Sequence, residues 1–410
     1  MRRTTSSLVI LLVLVTALSS HIANAQSSRW PSSNGLLAFR SDRDGEPDVF
    51  TLDATSGTPT KLTDNSGIAD LQPSWSPDGR RVAFVRRTGE HGRPDLYVMT
   101  ATGTGRTRLT RTPVAERDPS WSPDGTLLVY AARTGPSGPF RIFVANADGS
   151  QGRQLTSQPA GSADRSPVWS PDGTRIAFVS DRVGGFPEIY VMDPDGSHVI
   201  RLTSNAFVDG NPSWSPDGTR ILVERCCSKA NSEIFSIDVA TRADTNVTNT
   251  LTTMEFDPVW SPDGTRIAYV AFEQGVGNID VWIMNADGTG ATRLTNDPGL
   301  DLSPDWQPLP TCTIRGTGDD DPGLGGTEGD DVICGLAGND SISGGLGSDL
   351  ILGGKGLDVL EGQFGADVLY GDQGDDLLDG GPDYDVLDGG PGTDTCIRGA
   401  AGAAMRLCEA

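Results

Sequence analysis

The pentapeptide Trp-Ser-Pro-Asp-Gly occurs five times in this 410-residue chain, and its spacing constrains the fold more than any other feature. The complete copies begin at Trp75, Trp121, Trp169, Trp214 and Trp260. They recur at intervals of 45 to 48 residues, and a partial copy, Ser303-Pro-Asp-Trp306, follows one interval later. Repeats of this length are typical of architectures in which each repeat is one structural unit that packs against the next. The sequence therefore predicts an array of six similar units.

Each interval contains the patterns of four short β-strands. After the third motif come the apolar runs Arg175–Ser180 and Glu188–Met192, and a Leu-Thr pair ends the interval. Within the motif, Pro presets φ for a turn, and Asp and Gly suit the next two positions. Residues 34–63 supply three strands without a Trp motif, and residues 304–306 supply the missing strand. Joining both ends in one blade protects sheet edges, which predicts an all-β fold with a six-bladed β-propeller over residues 30–309.

These units resemble the TolB-type propeller repeat over about residues 34–308. The resemblance rests on the Trp-Ser-Pro-Asp-Gly turns, the Ile-Ala-Phe and Ile-Tyr-Val-Met strands and the Leu-Thr ends. It implies a periplasmic or secreted interaction platform, whereas in other members the propeller gates a peptidase of the prolyl oligopeptidase kind. The chain has no Gly-x-Ser-x-Gly motif, and only His91 and His198 follow residue 25, so we expect no Ser-His-Asp triad.

A second repeat, nine residues long, occupies the C-terminal part of the chain. Its eight aspartates are Asp331, Asp340, Asp349, Asp358, Asp367, Asp376, Asp385 and Asp394. A glycine lies five residues before each aspartate, and an aliphatic residue lies two residues after all but the last, where Cys396 stands. In this nonapeptide pattern six residues form a turn and three a short strand, so two repeats make one coil. The sequence predicts a parallel β-roll over residues 312–398 and a C-terminal tail over residues 399–410.

The glycine turns expose carbonyl oxygens beside the aspartate carboxylates, and oxygen ligands suit Ca²⁺. The segment resembles the hemolysin-type, repeat-in-toxin calcium-binding repeat over its whole length. The resemblance implies that ions lie between the turns of alternate repeats, which makes the eight aspartates metal ligands and allows up to about six Ca²⁺ ions. The predicted pairs are 331 with 349, 349 with 367, 367 with 385, 340 with 358, 358 with 376 and 376 with 394.

The charge of this segment supports a second interpretation. Nineteen acidic and three basic residues lie between Cys312 and Arg398, so the segment holds most of the net charge of -23. An acidic, glycine-rich segment with few large apolar residues can stay disordered, because burial does not offset its ordering entropy. Disorder without metal and folding on Ca²⁺ would reconcile the two interpretations. The same charge argues against a nucleic-acid partner, because phosphate contacts need a basic face.

The first 25 residues have the pattern of a signal peptide. Arg2 and Arg3 precede the apolar run Leu8–Leu18, and Ala23-Asn-Ala25 provides a small-x-small cleavage site. The run is too short for a hydrocarbon layer of about 30 Å, and we expect no transmembrane segment after cleavage. The mature chain is therefore expected to be secreted, extracellular or at the cell surface, with the periplasm as the alternative.

An acidic residue lies three positions before the proline that precedes each Trp, in all six units. These residues are Asp70, Glu116, Asp164, Asp209, Glu255 and Asp301. Sixfold symmetry would place the carboxylates in a ring around the channel mouth, where a cation or a cationic group could bind. Alternatively, each carboxylate accepts local backbone N–H bonds in its turn and needs no ligand.

The six cysteines fall near the ends of the roll and in one blade. We predict disulfides from Cys312 to Cys334 and from Cys396 to Cys408, where they would close the first and last coils. Cys226 and Cys227 are either a vicinal disulfide or two free thiols.

Together these patterns predict an exported, non-catalytic calcium-binding protein. Its propeller would present a loop-built face to a protein or a cell-surface glycan, and its roll would fold on Ca²⁺. The alternative is a secreted propeller enzyme, a polysaccharide lyase or hydrolase or a lactonase, that uses the channel-mouth carboxylates.

Overall fold

The computed structural model describes residues 32–55, 57–88, 92–157, 161–226, 231–250, 252–273, 278–397, 399, 403–406 and 408. Within these ranges the chain folds into six four-stranded antiparallel sheets and two parallel sheets. The predicted signal peptide, residues 1–25, lies outside them. No helix in the described part of the chain is long and apolar enough to cross a membrane.

Each four-stranded sheet is one blade of a six-bladed propeller, as predicted. The strands in chain order are β1 (Ser32–Ser41), β2 (Asp48–Leu52), β3 (Pro59–Lys61), β4 (Ile68–Trp75), β5 (Arg81–Thr88), β6 (Asp95–Thr100), β7 (Thr107–Arg108), β8 (Glu116–Trp121), β9 (Leu127–Arg133), β10 (Phe140–Asn146), β11 (Arg153–Gln154), β12 (Asp164–Trp169), β13 (Ile176–Ser180), β14 (Glu188–Met192), β15 (Ile200–Arg201), β16 (Val208–Trp214), β17 (Arg220–Cys226), β18 (Ser232–Asp238), β19 (Asp244–Asn246), β20 (Thr253–Trp260), β21 (Arg266–Glu273), β22 (Ile279–Asn285), β23 (Thr292–Arg293) and β24 (Asp301–Pro310). Blades 2 to 6 take four consecutive strands each, and blade 1 has the order β24-β1-β2-β3.

Blade 1 is closed by the two ends of the propeller, which confirms the predicted closure. Leu37 of β1 pairs with Trp306 of β24, and the ladder extends to Ser32 opposite Pro310. Pro308 and Pro310 lie within β24. Proline lacks an N–H but is tolerated on an edge strand, and β24 is an edge of its sheet.

The tryptophan motif builds both the core and the turns. The six motif tryptophans are 4 to 7% exposed, and apolar residues of neighbouring blades pack around them. In the first turn, Ser76 Oγ accepts a hydrogen bond from Arg81 N (2.9 Å), and Asp78 Oδ1 accepts one from Arg80 N (2.9 Å). Gly79 has φ of 70°, a conformation in which a side chain is strained, so glycine is required there.

A bulge interrupts the innermost strand of every blade. The residue before the proline that precedes each motif tryptophan has φ between 43° and 55°, and the strand pairing shifts at this point. The six residues are Gln72, Asp118, Ser166, Asn211, Asp257 and Ser303. All six line the central cavity of the propeller. The bulges therefore aim one ring of side chains at the propeller axis.

The C-terminal part is a roll of two parallel sheets, as predicted. The strands are β25 (Ile314–Arg315), β26 (Leu324–Gly325), β27 (Val332–Ala337), β28 (Ser341–Leu346), β29 (Leu350–Lys355), β30 (Val359–Phe364), β31 (Val368–Gln373), β32 (Leu377–Asp379), β33 (Asp385–Asp388), β34 (Thr395–Ile397) and β35 (Ala403–Arg406). Odd-numbered strands form a six-stranded sheet and even-numbered strands a five-stranded one. Ile333 pairs with Ile351, so one coil takes 18 residues, or two nonapeptides. The aliphatic position of the repeat fills the narrow interior.

Candidate functional site

The eight predicted aspartates lie in columns along the turns of the roll, and all are buried. In each column the backbone N–H of one aspartate donates to Oδ1 of the aspartate one coil later. For example, Asp340 N lies 2.8 Å from Asp358 Oδ1, and Asp358 N lies 2.8 Å from Asp376 Oδ1. The same contact joins all six predicted pairs. The structure therefore brings together the residues that the nine-residue spacing singles out.

In seven of the eight carboxylates the second oxygen has no hydrogen-bond partner. Oδ2 is buried without a partner in Asp340, Asp349, Asp358, Asp367, Asp376, Asp385 and Asp394. A buried carboxylate oxygen that is removed from water and makes no bond costs free energy. Seven such atoms in register are difficult to reconcile with a finished structure made of protein alone, and they point to a positively charged ligand.

The glycine five residues before each aspartate leaves space for such a ligand. A Cβ added to Gly353 would lie 2.6 Å from Asp358 Oδ2 and 2.8 Å from the carbonyl oxygen of Gly371 in the next coil. The arrangement recurs at Gly335, Gly344, Gly362 and Gly371, where the aspartate Oδ2 and a glycine carbonyl oxygen both lie within 2.7 Å of the added Cβ. The space that a side chain would fill is therefore lined by oxygen atoms.

Burial also disfavours the charged form of these carboxylates. It raises the pKa of Asp349 and Asp367 to about 7 and that of Asp358 and Asp385 to about 6, and the charges of nearby aspartates add to the effect. A bound cation would reverse this, because an adjacent positive charge favours the carboxylate.

The donor set fits Ca²⁺. Among the described residues no three His, Cys, Asp or Glu side chains converge on one point, so an ion between the coils would need backbone carbonyl ligands as well as aspartates. Carboxylates together with backbone carbonyls are the usual ligands of Ca²⁺, whereas His and thiolate sites suit transition metals. The residues that would hold the ion are the column aspartates and the glycines that precede them.

The structure adds one aspartate that the nine-residue spacing missed. Asp321 lies ten residues before Asp331, and its backbone N–H donates to Asp340 Oδ1 (2.8 Å) as the other column members do. A Cβ on Gly316 would lie 2.6 Å from Asp321 Oδ2. The Gly-to-Asp spacing of five was therefore a better guide than the spacing between aspartates.

Two disulfides close the ends of the roll, as predicted. Cys312 is bonded to Cys334 and Cys396 to Cys408, with Cα atoms 5.9 and 5.7 Å apart. Cys227 lies outside the described residues, so the alternatives for the Cys226-Cys227 pair stay open.

The six acidic residues predicted at the channel mouth do not line the channel. They are at most 1% exposed, and each one is paired with a nearby side chain. Arginines pair with Asp70, Asp164, Asp209 and Asp301. Glu116 accepts hydrogen bonds from Thr110 and Thr112, and Glu255 accepts one from Thr250. The ring of free carboxylates is wrong, and the alternative holds only in that the partners are close by, because they are side chains and not the expected backbone N–H groups.

The residues that do reach the channel are those at the bulges, two positions further along each strand. Asp118 and Asp257 are the acidic members of this ring, and they belong to blades on opposite sides of the channel. Ser166 N donates to Asp118 Oδ2 (3.0 Å), and Ser303 N donates to Asp257 Oδ2 (3.1 Å). The channel therefore carries a hydrogen-bonded polar ring with two carboxylates.

Asp305, also in the channel wall, is expected to make the stability of the propeller depend on pH. Burial raises its pKa to about 7, against about 3.9 for an unfolded chain. The folded state thus holds this proton more tightly, and the resulting stabilisation is complete below about pH 4 and lost as the pH rises through 7. We expect the melting temperature to fall between pH 5.5 and pH 8. Asp305→Asn, which keeps an acceptor for Trp75 N, should reduce that fall and be the more stable protein at pH 8.

Calorimetry of both proteins at the two pH values measures this effect. Glu273→Gln is the matched control, because Glu273 is exposed and the change removes the same charge. An identical pH dependence in Asp305→Asn and the wild type would contradict the prediction.

Comparison with known proteins agrees with both halves of the structure. A family model described as TolB beta propeller domain matches residues 71–250 and 211–313. A second, described as RTX calcium-binding nonapeptide repeat (4 copies), matches residues 325–360, 353–387 and 361–396. The fold and the columns thus define a six-bladed propeller joined to a calcium-binding repeat module. Because the propeller model spans more than half of the chain, the chain belongs to the TolB beta-propeller domain family.

Similar individual proteins cover shorter parts of the chain. The TolB homolog of Chlorobium luteolum is 37% identical over 76 residues, which are 18% of this chain and 16% of the relative. The Tol-Pal system protein TolB of Anaeromyxobacter dehalogenans is 53% identical over 38 residues, 9% of each chain. The chain thus spans less than a fifth of these curated relatives. The crystal structure of TolB from Acinetobacter baumannii has a TM-score of 0.58 at 24% identity, covers 72% of this chain and 70% of its own, and shows the shared fold.

Proposed function

We propose that this chain is an exported, non-catalytic calcium-binding protein whose roll folds on Ca²⁺ and whose propeller is an interaction platform. The observation that carries the proposal is the series of buried aspartate Oδ2 atoms without partners, one in each repeat from Asp340 to Asp394. A structural role alone would leave these oxygens uncompensated. The match to calcium-binding nonapeptide repeats supports the same ligand.

The residues of the roll divide the work of holding the ions. The backbone N–H of the preceding coil fixes Oδ1 of each aspartate, which leaves Oδ2 oriented towards the glycine turn. The glycines keep this space open and supply carbonyl oxygens. Bound Ca²⁺ would neutralise the repulsion between stacked carboxylates, so that the binding free energy becomes folding free energy.

Export itself would lead the roll to bind calcium and fold. Extracellular calcium modules bind at about 10⁻⁴ to 10⁻³ M, well above the range of cytosolic calcium sensors. The signal-peptide pattern of residues 1–25 and the two disulfides support an oxidising compartment outside the cytosol. A roll with this affinity would stay unfolded during synthesis and fold after export.

The propeller half offers an exposed apolar loop to a partner. Val183 and Phe186, between β13 and β14 in blade 4, are 66% and 51% exposed. The corresponding loop of blade 1 carries Asp44 and Glu46 instead. Large apolar side chains at a loop tip are favoured at protein interfaces, and aromatic rings also stack on sugars. A protein or a cell-surface glycan is therefore the proposed partner class.

The enzyme alternative now depends on different residues. The six carboxylates before the bulges are buried and paired with other side chains, so a lyase, hydrolase or lactonase in this channel would use the carboxylates of the channel wall, Asp118, Asp257 or Asp305. Turnover of a polysaccharide or lactone panel by the wild-type chain, lost in Asp118→Asn, would favour the enzyme over the platform.

A calcium titration of two charge-matched variants tests the calcium site. Asp358 belongs to two of the predicted pairs, and Asp358→Asn removes its negative charge and replaces one carboxylate oxygen by an amide nitrogen at nearly the same size. We expect its calcium dissociation constant to rise by about tenfold or more, which is ~1.4 kcal/mol or more. Glu361→Gln, an exposed residue on β30, should change it by less than about twofold. Isothermal titration calorimetry measures both, and equal affinities in the two variants would rule out the aspartate columns as the site.

A further inference from the structure

One outer face of the roll is covered, and the other is open. Residues just after the column aspartates point outward, because the next residue in each repeat fills the interior. In the six-stranded sheet these outward residues, Val332, Leu350, Val368 and Val386, are at most 1% exposed. In the five-stranded sheet the equivalent residues, Ser341, Val359, Leu377 and Thr395, are all exposed, with Val359 at 38%.

The covered face meets the propeller at the turn of blade 2. The hydroxyl of Tyr370, on β31, donates a hydrogen bond to the Asp78 carboxylate in that turn. Arg80 makes a double ion pair with Asp372, at 2.6 Å from Nη1 to Oδ1 and 3.0 Å from Nη2 to Oδ2. Its guanidinium also lies 4.0 Å from the centre of the Tyr370 ring. Tyr370, Asp78 and the adjacent Arg81 are all at least nine-tenths buried.

The sequence departs from its own repeats at these contacts. Arg80 occupies the position after the motif glycine, where the other four complete motifs have threonine, namely Thr126, Thr174, Thr219 and Thr265. Asp372 pairs with Gly354 of the neighbouring strand and replaces the glycine common at this position of the nonapeptide. The blade repeat with Arg80 and the nonapeptide with Asp372 contact each other, and these two repeats carry the complementary charges. A planar, bidentate guanidinium–carboxylate pair is among the more geometrically specific polar contacts.

We propose that docking of the roll onto blade 2 and calcium binding by the roll are thermodynamically linked. The inference rests on the proposed calcium function and adds its regulation. The two docking residues, Tyr370 and Asp372, both lie on β31. The face on which Tyr370 packs beside Val332, Leu350, Val368 and Val386 of the neighbouring coils exists only when the coils are stacked in the 18-residue register. Calcium stabilises the same stacking. The propeller therefore raises the calcium affinity of the roll, and calcium in turn keeps the blade 2 turn covered, because linkage is reciprocal.

The tryptophans provide a readout that separates the two halves. Seven of the eight tryptophans lie in propeller strands, and none lies in the roll, so tryptophan emission does not report the roll directly. Trp121 lies close to the docking turn, with the Arg81 guanidinium 4.7 Å from its ring centre. Calcium added to the intact chain should change this emission only if the roll acts on the propeller.

The test compares Arg80→Thr with a matched control in the full chain. Arg80→Thr installs the residue of the other motifs and removes both the ion pair and the contact with the Tyr370 ring. Arg175→Thr makes the same change of charge on the exposed turn of blade 4. We expect Arg80→Thr to raise the calcium concentration at half-saturation, the calcium midpoint, by about fivefold or more and to abolish the change in tryptophan emission. Arg175→Thr should leave both quantities near their wild-type values. Tyr370→Phe, which removes only the hydroxyl contact, should raise the midpoint less and serves if Arg80→Thr does not fold.

The outcomes separate this inference from the calcium function. A wild-type chain that binds calcium with the same midpoint as Arg80→Thr and Tyr370→Phe overturns the linkage and leaves the calcium site intact. A wild-type chain that binds no calcium overturns the proposed function, and the linkage falls with it. A raised midpoint in Arg80→Thr with an unchanged Arg175→Thr supports both.

Discussion

Removing calcium from the intact protein with a chelator is expected to unfold the roll and leave the propeller folded. The reason is the column of carboxylates, which stacks partnerless oxygens from Asp340 to Asp394 in a segment that holds most of the net charge. Without a cation, ionised carboxylates in a column repel, and the small interior of the roll offers little burial in compensation. Amide hydrogen exchange in chelator should show lost protection for residues 332–388 and retained protection for residues 36–306. Restoring millimolar Ca²⁺ should recover the protection.

Magnesium is the informative control for this experiment. Mg²⁺ is smaller, requires nearly octahedral geometry and sheds water reluctantly, so it should not replace Ca²⁺ at the same concentration. Full protection of residues 332–388 in the presence of chelator would contradict calcium-dependent folding, and recovery with Mg²⁺ would show that general screening of charge is sufficient.

A second large loss of calcium affinity is expected when the space beside Asp358 is filled. Gly353→Ala places a methyl group 2.6 Å from Asp358 Oδ2 and 2.8 Å from the Gly371 carbonyl, where the ion and its ligands would be. These separations are shorter than real carbon contacts allow, so the coils must separate or the ion must be lost. We expect the calcium affinity of the central coils to fall by about a hundredfold, which is ~2.8 kcal/mol.

Gly329→Ala is the matched control for this change. Its added Cβ would meet only Thr327 Oγ1, at 4.0 Å. This variant therefore replaces a glycine by alanine without filling the oxygen-lined space beside a column aspartate. Calcium titrations followed by far-ultraviolet circular dichroism compare the two variants. Equal calcium midpoints in Gly353→Ala and Gly329→Ala would mean that the glycine space is not where the ion binds.

Periodic features of the chain were predictable from sequence, because the same residue pattern occurs many times along the chain. The motif spacing predicts six blades and their closure through Trp306, and the nonapeptide predicts the coil length and the aspartate pairs. Asp321 was missed because one residue is inserted between its repeat and the next.

Features that depend on a single bulge or on one pair of distant residues were not predictable. Strand alternation alone puts residues such as Asp209 in the channel ring. It does not show the bulge at Asn211, where the side chain of Asn211 turns towards the axis. Pairing of Asp209 with Arg225 depends on a neighbouring strand. Docking of the roll depends on Arg80 and Asp372, which are 292 residues apart and are each one departure from a repeat. A single departure from a repeat has no period, so repeat spacing does not reveal it, although here the two departures form the contact.

The ladder between β1 and β24 has a mechanical consequence. Ser32 lies opposite Pro310, so the chain enters and leaves the propeller at the same corner of blade 1. A force applied between the N-terminal side and the roll would load this antiparallel ladder as a zipper, breaking its hydrogen bonds one after another instead of all together. Blade 1 would open first, at forces well below those that a shear geometry withstands. If the protein is held at both ends, the propeller ring is its tension-sensitive element.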